Sequence, residues 1–261
     1  MKRVVFSFDD GRIDTYTNAY PILKKYKMPF TLNVCTDFVE HPEHFNCFGS
    51  ADNKSVSIEN LVEMQHAGVE IACHGHLHLN TKEDVLSNIS ALARMGLEVD
   101  RIGFASPNSS ITEENAGELL ELVNDGSLFY IRSGVQVRRE GLLFSALSLL
   151  ERKLHSVSLF YRLNKRCIIR DARRKILLSV GIHKSVTLKQ LLNFVDKMND
   201  GEAVIFMFHS ILNKTDVGYG RDNWFFDLEL FEQLCKSLSE NADVEVCNTM
   251  DLVLRANETI K

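Results

Sequence analysis

Ser7-Phe8-Asp9-Asp10-Gly11 follows the apolar run Val4-Val5-Phe6, and the reading of this stretch decides the fold. A short apolar run that stops at two acids and a glycine reads as a buried strand ending in a turn. Adjacent carboxylates push one another's pKa apart, so such a pair needs a cation beside it or else one member takes up a proton. The bland alternative is a strand-to-helix turn in which Asp10 caps a helix starting near Arg12.

Working outward, short apolar runs alternate with longer amphipathic stretches. Strands are expected at Val4–Phe8, Phe30–Val34, Val69–Cys73, Ile102–Ala105, Leu128–Arg132, Ala203–Phe208 and Val244–Cys247. Helices are expected at about 12–26, at 58–66 behind Ser57, and from Thr81 to Met95-Gly96. Further helices are expected at 112–123, from Thr187 to Met198, at 228–238 and from Met250. Thr81-Lys82-Glu83-Asp84 resembles a capping box with Asp in place of Glu. Such alternation implies parallel strands with crossover helices, and seven strands suggest a closed barrel. Chemistry in a parallel barrel sits beyond the carboxyl ends of the strands. Asp9, Asp10, His74, His78, Pro107, Arg132 and His209 all fall at such ends.

The length of 261 residues suits a single α/β barrel domain, and 45% hydrophobic residues supply a core. A formal charge of -5 argues against nucleic acid as a partner. Six cysteines without a Cys-x-x-Cys pair read as reduced thiols, which favours the cytoplasm. No signal peptide is visible, and no apolar run reaches the ~18 residues of a membrane span.

His74 and His78, spaced i, i+4, would share one face of a helical turn, and with one carboxylate they make a facial set suited to Zn²⁺ or another divalent ion. His76 would point elsewhere. The whole pattern resembles the polysaccharide deacetylase family (carbohydrate esterase family 4). Ser7-Phe8-Asp9-Asp10-Gly11 is similar to its Thr-Phe-Asp-Asp-Gly motif, and His74 to His78 to its spaced histidine pair. Phe104-Ala105-Ser106-Pro107-Asn108-Ser109 stands in the place of Arg-x-Pro-Tyr-Gly, and Ile205-Phe206-Met207-Phe208-His209 resembles the closing motif. Order and spacing agree over about 3–136 and 186–254.

This resemblance implies a distorted (β/α)7 barrel and a metal-dependent N-deacetylase of an amino sugar. It makes Asp9 the general base, Asp10, His74 and His78 the metal ligands, and His209 the general acid. The backbone N–H of Asn108, next to Pro107, would steady the oxyanion. Two departures stand out. The third motif's arginine is Ala105, and Arg132 is expected to supply that guanidinium from a neighbouring strand. The fourth motif, with its Asp and Trp, has no counterpart before His209, while Trp224 lies after it and is expected to stack on a sugar. Deformylation, another amide hydrolysis, or a catalytically silent glycan-binding module are the alternatives.

Residues 138–184 fit no strand–helix unit and read as a basic helical insertion. They hold 12 Lys and Arg against 3 Asp and Glu, or +9, which leaves -5 minus 9, or -14, for the rest. Its leucines between 142 and 163 and the arginines and lysines that follow suggest peripheral membrane contact through 140–175, a clamp for a phosphorylated substrate, or a helical hairpin with a solvated basic face. The expected substrate is thus an N-acetylated sugar, or a lipid-linked saccharide met at the inner membrane face.

Overall fold

The apolar runs become strands, and the strands close on themselves. The computed structural model describes residues 1–45, 54–112, 116–135 and 141–258. Its strands are β1 (Lys2–Phe8), β2 (Thr31–Val34), β3 (Glu70–Cys73), β4 (Phe104–Ala105), β5 (Ile131–Gly134), β6 (Ile176–Gly181), β7 (Ala203–Phe208), β8 (Ser210–Leu212), β9 (Phe225–Asp227) and β10 (Val244–Cys247). From β1 to β7 each strand pairs with the next in parallel, and β7 returns to β1. The result is a distorted (β/α)7 barrel. Its distortion has a local cause: β10 pairs with Lys2–Val5 of β1, whereas β2 pairs only with Ser7 and Phe8 on the same edge.

Around the barrel lie α1 (Tyr20–Lys25), α2 (Thr36–Glu40), α3 (Ile58–His66), α4 (Lys82–Arg94), α5 (Gly117–Asn124), α6 (Leu142–Leu154), α7 (Val157–Asn164), α8 (Leu188–Asp196), α9 (Leu228–Ser239) and α10 (Thr249–Glu258). Ser57 caps α3 in a reciprocal box with Asn60, as Thr187 does for α8 with Gln190.

Three expectations are corrected. Barrel membership differs by one exchange: β10 lies outside the ring, and Ile176–Gly181, inside the supposed insertion, is the barrel strand between β5 and β7. The basic run Arg173-Arg174-Lys175 just before it hides a short apolar strand whose burial comes entirely from its neighbours. The helix expected from Arg12 does not start there. Val56 N–H donates to the Gly11 carbonyl and Ile13 N–H to the Lys54 carbonyl, so the backbone at 11–13 is engaged elsewhere, and a π-helical turn (Thr15–Ala19) precedes α1. Finally, α5 starts at Gly117; residues 113–115 and 138–140, covered by the expected helix and insertion, lie outside the described residues, as does Cys47. The other five cysteines are free and buried.

Alternation along β1 sorts its side chains. Val4, Phe6 and Phe8 join the core between barrel and helices, where Phe8 stacks on Phe208 with ring centroids 5.4 Å apart. Val5 faces the other way, into an apolar cluster with Tyr130, Leu177 and Ile205. With a period of two, Ser7 and then Asp9 continue the Val5 row inside the barrel. Asn33 closes this polar layer, its Nδ2 donating to Ser7 Oγ, the Phe8 carbonyl and Asp9 Oδ1 at 2.8–2.9 Å.

Candidate active site

Register brings the site together. Phe8 is paired with Phe208, and Asp9 N–H donates to the Phe208 carbonyl at 2.9 Å, so the acids leave β1 beside His209 leaving β7. Val34 is paired with Cys73, and His74 N–H donates to the Val34 carbonyl at 3.0 Å. Asp10, with φ of +72°, turns its carboxylate toward these imidazoles. Its Oδ1 lies 3.3 Å from His74 Nε2 and 3.5 Å from His78 Nε2.

The two histidines do not meet through helical spacing. Residues 74–80 are a loop in which Gly75 and His78 both have positive φ. Asp84 shapes that loop. Thr81 caps α4 as expected, but the Asp84 carboxylate does not complete the box; it accepts from Leu77 N–H and Leu79 N–H at 2.8 and 3.0 Å. Buried Asn88 donates to the Gly75 carbonyl, to the Val34 carbonyl and to Thr36 Oγ1. His76 turns away to Thr36.

These donors fit a divalent cation. One oxygen of Asp10 and one nitrogen each of His74 and His78 lie within 4.8 Å of one another. His74 Nδ1 faces the Ala105 carbonyl at 2.8 Å, which places its proton there and leaves the Nε2 lone pair on the ligand side. Burial opposes charge on Asp10, yet Arg12, His74 and His78 together hold its carboxyl well below the usual range. Burial also opposes charge on His74, and Asp9 and Asp10 outweigh it and raise the imidazole. The site therefore draws positive charge to itself.

Arg132 reaches where the sequence put it. It is the register partner of Ala105, and its guanidinium bonds Asp9 Oδ1 inside the barrel. Against the cost of burial, Arg132 first and then His74 and His209 hold Asp9 below its ordinary value. His209 is pushed down to about 4 by burial, with the Asp10 charge opposing, and its Nδ1 has no hydrogen-bond partner among the described residues. Trp224 packs on this ring, centroids 5.1 Å apart, and meets His183 edge-on at 6.2 Å. Pro107 and Asn108 form a turn after β4 with Asn108 at φ 55°; the Pro107 carbonyl takes hydrogen bonds from Asn80 and Ser110.

Several members escape a reading of sequence alone. Arg12 is buried, donating through Nε to Asp10 Oδ2 at 3.0 Å and through one terminal nitrogen to Asp222 at 2.8 Å and Ser210 Oγ at 2.9 Å. The Ser210 hydroxyl donates to Asp14, which also accepts from Ile211 N–H. Asp222 in turn accepts from Trp224 N–H at 2.8 Å. An Asp and a Trp thus stand at the site after all, drawn from the loop behind His209. The only local hint was an arginine directly behind the Asp-Asp-Gly stretch.

Comparison with known proteins agrees with this geometry. Residues 1–118 match the family model described as polysaccharide deacetylase. Those residues are similar to the polysaccharide deacetylase family. YxkH of Bacillus subtilis (strain 168), assigned by name as a polysaccharide deacetylase, is 36% identical over 81 residues, or 30% of this chain. The chain spans only 25% of that relative's length. Two solved structures, one named as a polysaccharide deacetylase and one as an acetyl xylan esterase, share the fold over nearly the whole chain. One is from Mycobacterium smegmatis, with 14% identity, coverage of 99% of this chain and 91% of that one, and a TM-score of 0.54. The other is a family 4 acetyl xylan esterase from Clostridium thermocellum in complex with a cobalt ion, with 13% identity, coverage of 97% and 91%, and a TM-score of 0.51.

Proposed function

We propose that this protein is a metal-dependent hydrolase that removes the N-acetyl group from an amino sugar of a glycan or glycan precursor. One observation carries the reading: a carboxylate held ionised by Arg132 and a neutral buried imidazole lie beside the Asp10–His74–His78 donor set. An amide is a poor electrophile with a poor leaving group, so its hydrolysis needs an activated water, charge stabilisation and a proton for the amine. A divalent ion, Zn²⁺ by the choice of ligands, would supply a more acidic water and polarise the carbonyl when held by Asp10, His74 and His78.

The chain supplies the rest. Asp9 takes the water proton, and the Arg132 guanidinium keeps that carboxylate ionised and fixed in place. His209 returns a proton to the departing nitrogen. It rests neutral, with burial holding it near 4; negative charge developing on the tetrahedral oxygen raises its affinity for a proton, so the one that Asp9 takes from water passes to it and on to the amine. Trp224 holds the His209 ring from one side and offers a partly exposed face to a sugar ring. Pro107 and the Asn108 N–H line the acyl side in this reading. The substrate is an N-acetylated sugar carried on a lipid, met in the cytoplasm at the inner membrane face; the +9 charge of residues 138–184 supports that location.

The test is release of acetate from free, nucleotide-linked and lipid-linked N-acetyl sugars by the metal-loaded protein. Asp9→Asn is expected to lower kcat by about 10²–10⁴ while leaving the bound metal unchanged. An unaltered rate would remove Asp9 as the base, and release of formate instead of acetate would reassign the acyl group.

A further inference from the structure

We propose that the outer face of α6 docks on an anionic lipid bilayer and holds the mouth of the active site against the membrane surface. The helix is built inside out. Leu142, Leu143, Leu149, Leu150 and Leu154 are 91%, 75%, 68%, 46% and 61% exposed. Its polar Ser148 and Glu151 are the buried residues, and Glu151 accepts from Gln190 of α8 at 2.5 Å. At 100° per residue, 142, 143, 146, 149 and 150 fall on one stripe, opposite the side that Glu151 anchors. Five such leucines leave on the order of 500 Å² of apolar surface in water, as large as the greatest patch of an ordinary soluble monomer.

The charges around the stripe decide its occupant. Arg152 and Lys153 are exposed among its last leucines, and Arg166 lies over the Phe144 ring at 5.1 Å beside its first. Arg162 and Lys165 are exposed on the adjoining α7 and the turn behind it. Leucines bracketed by cations suit an anionic bilayer, with the apolar face in the acyl boundary and the basic groups among the headgroups. The remaining -14 of the chain is repelled by the same surface, so the field also orients the molecule with α6 down. No described helix is long and apolar enough to cross a membrane, and α6, at 13 residues, lies along the surface.

The helix also adjoins the reaction centre. His155 at its end bonds the Ser185 carbonyl at 2.8 Å, and Ser185 Oγ lies 2.9 Å from His183 Nδ1. His183 meets Trp224, which packs on His209. A bilayer beneath α6 therefore lies next to the rim where the general acid sits. Docking stands independently of the deacetylase reading; that it presents a lipid-carried sugar to the site rests on that reading.

The experiment is co-sedimentation of the full chain with phosphatidylcholine vesicles with and without about 30% phosphatidylglycerol, at low and high salt. Binding is expected on the anionic vesicles, about tenfold weaker on neutral ones or at high salt, and about tenfold weaker for Leu143→Gln/Leu149→Gln/Leu150→Gln. Wild-type protein left in the supernatant, or a triple variant that binds equally well, overturns the proposal. So does light scattering that shows a dimer split by the same substitutions without vesicle binding, since the face then belongs to a second copy. In a second arm the triple variant is expected to keep wild-type turnover of a water-soluble N-acetyl sugar and lose about tenfold on a lipid-linked one in vesicles. Absence of all deacetylation by wild type counts against the activity alone and leaves the sedimentation result standing.

Discussion

Arg12 joins the cation site to the loop behind β7. Its guanidinium sits between Asp10 and Asp222, all three nearly inaccessible to water. Removing one partner of a buried charge cluster leaves the others uncompensated, so Arg12→Met is expected to lower the stability of the metal-free protein by about 3–5 kcal/mol. Saturating Zn²⁺ should restore part of that loss by neutralising Asp10; urea unfolding with and without metal measures both. Asp14, behind Ser210, is raised to about 6 by burial, with Arg12 opposing. The sign follows from linkage. A carboxyl that binds its proton more tightly when folded favours folding below the unfolded value near 4, and that advantage disappears as the pH rises to about 6. Against Asp14→Asn, the wild type should therefore lose up to about 3 kcal/mol between those pH values, read from urea midpoints. Parallel curves for the two proteins would show that Asp14 titrates normally.

Secondary structure at the site depends on turns more than on helices. The loop carrying His74 and His78 passes through Gly75 at φ +79°, where an added Cβ would lie 2.4 Å from Asp84 Oδ2 and 2.8 Å from the Leu79 carbonyl. Gly75→Ala is therefore expected to fold, because the clash reaches α4 only through the Asp84 side chain and leaves β3 untouched, but to weaken Zn²⁺ binding about 10–100-fold as both imidazoles shift. Calorimetric titration of metal checks this, and unchanged affinity would mean that the loop does not set the ligand geometry. Much of the site was legible at this level. The ends of β1, β3 and β7 were placed from apolar runs, and the acids and histidines that end them are local features of the sequence. The i, i+4 spacing of the histidines implied a helical turn, whereas a loop brings the two rings together. Arg132 was placed correctly because β4 and β5 are adjacent in the chain as well as in the barrel.

Closure is the property of the whole molecule on which the site depends. β6 joins β5 to β7 and places Ser179 3.4 Å from the Arg132 guanidinium; without it the edge of β5, which carries Arg132, and the facing edge of β7 would both be open. Excision of residues 138–184 is thus expected to abolish cooperative unfolding, measured by circular dichroism against urea. A surviving sharp transition would contradict the pairing. This strand was missed because the charge balance of a long segment, +9 over 138–184, says nothing about six of its residues. The sequence by itself determined the strand-and-helix alternation and the acids and imidazoles at the strand ends, because each is written in a few neighbouring residues. Only the tertiary structure decided that β6 completes the barrel, that Arg12 is shared between Asp10 and Asp222, and that α6 turns its leucines outward. Those outcomes depend on register and on side chains meeting across as many as two hundred positions, and local chemistry carries no record of either.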